Sequence, residues 1–421
     1  MRAPRNRRVV IAGCEVVTAL GTSLQQTWNS AVRGRPCFEL ADSCEPLGLR
    51  VPVGRVNGFD ARAYSFGTPR EIAKWDAAFV LLTMAVCQGA VATAGVDLSG
   101  EIGTRTACFM GSALCGQDAF RTATDRLQNS GYLRVSPFLL PNLCANVPAG
   151  KAGELLGFTG PIIAPGGACA SGNHAIAMGA RMIRDGDVDV AIVGGVDTPI
   201  VTEIVVGFAN MNAVIKLRET DRAWDDPNLA SRPFSVDRKG FVLAEGAAAL
   251  VLVADEVAQA HGLTALAEVL GVGWTSDAHH VTRLHEPTVV RAMRQAIDDA
   301  ELTPDDIDCI NAHGTSTITG DAVEVTSLRQ VFGERLCRVP VTANKSLVGH
   351  SLGGAAAIEA ALAIEGMQRG QILPTANHLS DPELEGLDLV AGEVRHQPHE
   401  LILSNSFGFG GTNCCVVLRG M

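Results

Sequence analysis

The sequence contains no CxxC pair and no Cys/His spacing of the metal-binding kind, although it holds 12 cysteines. Scattered through 421 residues, these suit reduced thiols packed as small hydrophobes. Disulfide staples are not expected, and a reducing cytoplasm fits better than an oxidising compartment. Cys414 and Cys415, adjacent in an apolar run, would point to the two faces of a buried strand. Aromatic residues make up only 5%, so the core must be built from Ala, Val, Leu and Ile. Charged residues are also few, 19% against 47% hydrophobic, which excludes a mostly disordered chain. Basic residues are outnumbered 34 to 45, a net charge of −11, so nucleic-acid binding by bulk charge is excluded. No apolar run approaches the ~18 residues of a membrane span. Arg2, Arg5, Arg7 and Arg8 before VVIAG imitate an export signal, but Glu15 interrupts the run and no cleavage site follows. A strand from Arg8 to Ala12, ended by a glycine turn, is the better reading.

Short β-branched runs alternate with Ala-rich segments of helical period, which predicts an α/β fold. Strands are expected at VVIAG, RTACFMG, DVAIVGG, AAALVLVA, ALAEVLGVG, DCINAHG, VPVTAN, LILSN and NCCVVL. Helices are expected at Pro69–Ala94, Gly172–Arg184, Thr288–Ala300, Asp321–Val331 and Ser351–Gln368. Ile176, Gly179, Ala180 and Ile183 give one helix a small, closely packed face. The helix from Ser351 is apolar nearly all round, so it should be buried. The chain divides near His261–Leu263 into halves 1–262 and 263–421 that read as a duplicated unit. Two polar segments, Asp42–Thr68 and Lys216–Ser231, are expected as surface loops or lids.

Four segments carry chemistry. In GGACASGNH, Cys169 sits in a small-residue turn before a helix, where amides and macrodipole favour thiolate. Taken alone, that turn fits a nucleophile and a structural cysteine about equally. In INAHGTSTITGDAVE, His313 follows a strand and precedes the hydroxyls of Thr315, Ser316 and Thr317. In TANKSLVGHSLGGAAAIEA, Lys345 and His350 stand before the buried helix, which also contains Glu359. A carboxylate there is costly unless paired, and lysine is scarce, so a Lys345–Glu359 pair beside His350 is the economical solution. In SNSFGFGGTN, three glycines (Gly408, Gly410, Gly411) exceed what a hairpin needs, and predict a mobile loop that approaches a ligand closely.

In that order, ACASG, INAHGTSTxxGD, NKSLVGHSLGGAA and NSFGFGGTN resemble the elongating β-ketoacyl-[acyl carrier protein] synthases of the thiolase superfamily. SRPFSVDRKGFVLAEGAAALVL is a fifth match, and the resemblance covers essentially the whole chain. It implies a five-layered αβαβα fold of two pseudo-symmetric halves, and an acyltransferase that condenses malonyl-carrier protein with a cysteine-bound acyl chain by decarboxylation. It implies Cys169 as nucleophile, His313 and His350 as the catalytic histidines, Lys345 and Glu359 beside them, and the amides of Cys169 and Phe409, flanked by Gly408 and Gly410, as oxyanion hole and gate. Thr315 and Thr317 would hold the phosphopantetheine arm, while Leu114 and Phe407 would line the substrate pocket. No metal or resident cofactor is implied, because the phosphopantetheine belongs to the carrier protein. A homodimer, or a heterodimer with a related ketosynthase or chain-length-factor subunit, is implied as well.

Arg70, Lys74 and Arg134 resemble docking positions for the acidic carrier protein. Asn212 stands where relatives often carry Arg, with Lys216 or Arg218 as substitutes. Three departures point toward specialised polyketide or polyene chemistry as readily as fatty-acid elongation. These are AGCEVV at the opening turn, the long Lys216–Ser231 segment, and SDAHHVTRLHEP, with a His where a Tyr is usual and Arg283, Leu284 and His285 after Thr282. A non-elongating partner subunit or an acyltransferase of the same fold is the alternative; retention of Cys169, His313 and His350 disfavours the former.

Overall fold

The computed structural model describes residues 7–421, so Arg2 and Arg5 lie outside it. Eleven strands form the main sheet: β1 Val9–Thr18, β2 Thr106–Gly111, β3 Ile162–Ile163, β4 Val190–Asp197, β5 Gly246–Ala254, β6 Ala267–Ser276, β7 Cys309–Asn311, β8 Pro340–Thr342, β9 Asp388–Leu389, β10 Leu401–Gly408 and β11 Thr412–Gly420. The principal helices are α1 Ala78–Ala94, α2 Val147–Leu156, α3 Ser171–Arg184, α4 Glu286–Asp299, α5 Ile318–Phe332 and α6 Ala355–Arg369.

The strand order is β9-β8-β7-β10-β11-β6-β1-β5-β4-β2-β3. Within the first half it runs β1-β5-β4-β2-β3, and within the second β6-β11-β10-β7-β8-β9, the same permutation of chain order apart from the extra edge strand β9. The parallel and antiparallel pairings also correspond: β2 runs parallel to β4, as β7 does to β10, and the last two strands of each half are antiparallel. The halves join where Val10 and Ile11 pair with Glu268 and Ala267.

Alternating side chains divide the interior into layers. Ala191 and Val193 share one core with Ile176 and Ala180 of α3 and Ile364 of α6, whereas Val190 and Ile192 face the core built on α1. Cys414 packs toward the central helices and Cys415 toward α4 and α5, as expected for a strand buried on both faces. Thus α3 and α6 form the middle layer, with α1 and α2 outside one half and α4 and α5 outside the other. All 12 cysteines are free.

Several expectations change. β1 does not turn at Gly13 but bulges there and continues to Thr18. A Cβ at Gly13 would meet the Ala90 carbonyl oxygen at 2.4 Å, so glycine admits α1 at close range. Glu15 accepts from the Leu24 amide and so caps the helix Leu24–Ala31. The single helix expected over Pro69–Ala94 is two, Pro69–Ile72 and α1. Between them Asn142 accepts from the Ala77 amide at 3.1 Å and Asp118 from the Ala78 amide at 2.8 Å, which gives α1 its own start. Asp42–Thr68 contains a short strand, Pro52–Gly54, of a second, three-stranded sheet. Lys216–Ser231 is not a loose lid, since Leu217, Ala223 and Ala230 are buried and Arg232 pairs with Asp221 beneath it.

α3 and α6 begin alike. Each follows a single 3₁₀ turn, Ala168–Ala170 or Leu352–Gly354, whose first residue is left-handed, with φ of 48° at Ala168 and 47° at Leu352. Such strain in non-glycine residues marks a sharp corner. The position that Cys169 occupies in one half is Gly353 in the other.

Candidate active site

The two central corners bring the first three segments together. Ser171 fixes the Cys169 corner by accepting from the Gly167 amide (2.9 Å) and donating to the Ala168 carbonyl (2.7 Å). Ser406 of β10 donates to the Cys169 carbonyl at 2.9 Å, tying the cysteine corner to the other half. The His350 backbone is held by hydrogen bonds with Val242 and Ala244, at 2.8 and 3.0 Å. Its Nε2 lies 3.1 Å from Cys169 Sγ. The His313 ring stands 5.7 Å from the His350 ring, nearly perpendicular, and Phe407 packs against His313 at 5.4 Å.

Sequence reasoning missed the group that places His313. Glu324 on α5 accepts from the His313 and Gly314 amides, each at 2.8 Å, and Asn405 donates to it at 3.3 Å. The available signal was an acidic residue on the buried side of α5, inside a segment already singled out for His313. Asp197 was missed too. It accepts from the Ser112 hydroxyl and from the Ala113, Leu114 and Gly353 amides, joining both corners to the pocket wall.

Lys345 Nζ donates to Glu359 Oε1 at 2.6 Å, both groups buried. Burial pushes Glu359 up to about 7, against the pull of Lys345. Burial, reinforced by the Lys345 charge, holds both His313 and His350 well below the ordinary imidazole range. They are neutral rings at pH 7. Burial raises Cys169 to about 12, although Lys345 and the amides of Phe409 and of Cys169 itself oppose this. The thiolate expected from the helix terminus is therefore not the resting form: desolvation outweighs the pull of Lys345 and of the two amides. Cys169 rests as a thiol whose proton can pass to His350.

SNSFGFGGTN is a tight hairpin after all, since Gly408 pairs with Thr412 and only residues 409–411 turn. It nevertheless meets Cys169. A Cβ on Gly408 would fall 2.5 Å from the Gly167 oxygen and 3.1 Å from the Cys169 nitrogen, so only glycine fits. Phe409 turns its amide to the sulfur, while Gly410 lies exposed on the turn and donates to the Val281 carbonyl at 2.7 Å.

A cavity of about 740 Å³ opens above Cys169. Its lining includes both histidines, Thr315, Thr317, Leu114 and Phe407. The Thr315 and Thr317 hydroxyls are hydrogen-bonded at 3.0 Å. Arg70, Lys74 and Arg134 are exposed and lie outside the lining. Lys74 packs over the Phe138 ring at 5.4 Å, and Lys216 donates to Asn212 at 2.6 Å. Among the described residues no cluster of three or more His, Cys, Asp or Glu side chains is arranged for a metal ion.

Behind the threonines, buried Asp321 accepts from the Phe234 amide at 2.8 Å, and burial raises it to about 7. A carboxyl raised on folding retains its proton in the native state while the unfolded chain ionises near 3.9. Its contribution is complete below that value and is lost as pH rises through about 7. Thermal unfolding of wild type should therefore weaken more steeply from pH 5 to 7.5 than that of Asp321→Asn. Parallel profiles would contradict this.

Models described as the N-terminal and C-terminal domains of β-ketoacyl synthase match residues 6–258 and 266–379. The protein named 3-oxoacyl-[acyl-carrier-protein] synthase 2 of Rhizobium meliloti is 37% identical, over 98% of this chain and 99% of its own. A solved β-ketoacyl synthase from Burkholderia phymatum has 32% identity and a TM-score of 0.89, covering 99% of this chain and 100% of the other. The ishigamide ketosynthase/chain length factor structure gives the same TM-score and coverage at 28% identity. With family models that match both halves of this duplicated frame and a relative 37% identical over 98% of it, the chain belongs to the β-ketoacyl synthase family.

Proposed function

We propose that this chain condenses malonyl-carrier protein with an acyl group held on Cys169, in fatty-acid or type II polyketide synthesis. The observation that carries the reading is the 3.1 Å contact of His350 Nε2 with a sulfur toward which two amides converge, at the floor of the cavity. In the first half-reaction, Cys169 Sγ attacks an acyl thioester and its proton passes to His350. The amides of Cys169 and Phe409 bind the developing oxyanion; one such donor is typically worth about 2.7–4 kcal/mol. The C–S bond to the carrier breaks and the departing sulfur takes the proton. In the second, the C–C bond to the malonyl carboxylate breaks, CO₂ leaves, and the electron pair forms an enolate. Neutral imidazoles of His313 and His350 donate hydrogen bonds to its oxygen. The enolate carbon attacks the acyl-cysteine, the C–S bond to Cys169 breaks, and the released thiolate takes up one proton from solvent, since its original proton left with the carrier thiol. The substrate travels on the carrier's phosphopantetheine, and the reading requires no resident cofactor or metal.

Intact-mass measurement after incubation with acyl-carrier protein should show an acyl adduct on Cys169, which malonyl-carrier protein then discharges as β-ketoacyl product. An adduct discharged only to water would favour a hydrolase. We assign the division into functional halves to residues 1–262 and 263–421, and the compartment to the cytoplasm. Among the described residues no helix is long and apolar enough to cross a membrane. We also assign a dimer, with itself or with a chain-length-factor partner, by likeness to the solved ishigamide ketosynthase/chain length factor.

We assign carrier docking to Arg70, Lys74 and Arg134, three exposed cations on a chain of net charge −11, which has no global attraction for an acidic partner. Arg70→Glu with Lys74→Glu should weaken use of carrier-bound substrate far more than use of small acyl thioesters. Equal losses on both substrates would remove the assignment.

A further inference from the structure

The cavity lining contains two permanent cations, Lys239 and Arg283, and no carboxylate, in a chain where acidic residues outnumber basic ones 45 to 34. Lys239 is one of only five lysines. Both cations sit at the rim: the Lys239 side chain is 44% exposed and Arg283 is exposed, whereas Cys169 is buried at the floor. Lys239 is placed beside the Thr315–Thr317 pair. The next residue, Gly240, donates its amide to the Ser316 carbonyl at 2.9 Å, and the preceding Arg238 donates to the Thr317 carbonyl at 3.3 Å. Arg283 belongs to the segment whose Val281 carbonyl is tied to Gly410, behind the Phe409 turn.

Neighbouring carboxylates do not cancel this charge. Lys239 donates to Asp221 at 2.7 Å, but Asp221 is shared with Arg232, at 3.0 and 3.2 Å. Arg232 also faces Asp237 at 3.4 Å, and Arg222 donates to Asp237 at 2.7 Å. Three cations thus share two carboxylates. Arg283 makes no side-chain hydrogen bond and no ion pair among the described residues. An apolar floor under a cationic, carboxylate-free rim suits an amphiphile with an anion at its far end.

We infer that Lys239 and Arg283 form a phosphate seat, which holds the phosphate ester at the end of a pantetheine arm while the acyl chain lies toward Leu114. This rests on reading the cavity as the way in for pantetheine thioesters. A carrier-protein phosphodiester and coenzyme A present the same chemistry. Calorimetric titration of the whole chain with non-reactive acyl amides, with and without the phosphate, tests the seat without requiring turnover. In wild type the phosphate should tighten binding about fivefold or more, a preference that shrinks as salt rises. In Lys239→Gln/Arg283→Gln the ratio should fall to within about twofold of unity, while Lys239→Arg/Arg283→Lys should keep it. Equal affinities in wild type, or an undiminished ratio in the double glutamine variant, would overturn the seat. Analogues linked to carrier protein and to coenzyme A should both weaken in that variant, and their wild-type ranking identifies the source of the arm. Weakening confined to the carrier-linked form would mean that the two residues touch the carrier itself, and would also overturn the seat. Absence of condensation alongside an intact phosphate preference would instead count against the proposed reaction alone.

Discussion

Cys169→Ala is expected to abolish acyl loading and condensation and leave the chain folded. The loss should be on the order of 10⁶-fold, the scale for deleting a catalytic nucleophile. The fold survives because the corner is fixed by other groups. Ser171 and Ser406 hold the neighbouring backbone, and Thr412 donates to the Gly167 carbonyl at 2.7 Å. Alanine also fits a site bordered by Ala168 and Ala170. Intact mass after exposure to acyl-carrier protein checks the chemistry, and thermal unfolding checks the fold. A normal adduct in the variant would remove Cys169 as nucleophile. Cys169→Gln should still decarboxylate malonyl-carrier protein, since His313, His350 and the Phe409 amide remain.

Lys345→Met should lower stability by about 3–5 kcal/mol, the usual consequence of removing one partner of a buried ion pair. Both members are almost wholly enclosed, 1% and 0% exposed, so water cannot replace the lost ammonium. Without that cation the Glu359 carboxyl moves further up from about 7. The variant's deficit should therefore be smaller at pH 5.5, where Glu359 is protonated, than at pH 8. Glu359→Gln in the same chain should recover part of the loss. Wild-type stability at pH 8 in the single variant would show that the pair contributes nothing. The substitution also removes a charge that holds His313 and His350 neutral. A shifted pH–rate profile, beyond the stability change, separates a positioning role from a merely structural one.

What could be read from the sequence followed what local chemistry determines. Periodicity located the long strands and central helices, because β4, β5 and β11 are buried on both faces and leave unbroken apolar runs. Cost arguments paired Lys345 with Glu359, since a carboxylate among Ala and Ile on α6 needs a cation within reach. Distant partners were not legible. The break before α1 depends on Asn142 and Asp118, which are 65 and 40 residues away from the amides they accept. The enclosure of Lys216–Ser231 depends on Arg232 finding Asp221. Glu324 was overlooked because its shorter contacts are to main-chain amides, which no side-chain pattern reveals, and its side-chain partner Asn405 is 81 residues away. The Cys169 proton was misjudged for a related reason: a helix terminus is visible in sequence, but the depth of burial that opposes it is not.

The twin corners carry a consequence for stoichiometry. A duplicated architecture presents two seats where a side chain could take an acyl group, yet the second seat, at Gly353, has nothing to acylate. Nor could it regain a side chain cheaply, because a Cβ there would lie 2.8 Å from the Ala113 nitrogen and 2.8 Å from an Asp197 oxygen. The Gly353 amide instead donates to that same carboxylate, which braces the pocket wall. One corner carries Cys169, and the other, through Gly353, braces the pocket wall. Under the proposed reaction each chain therefore holds a single acyl group at a time, and a symmetric frame works one-sidedly.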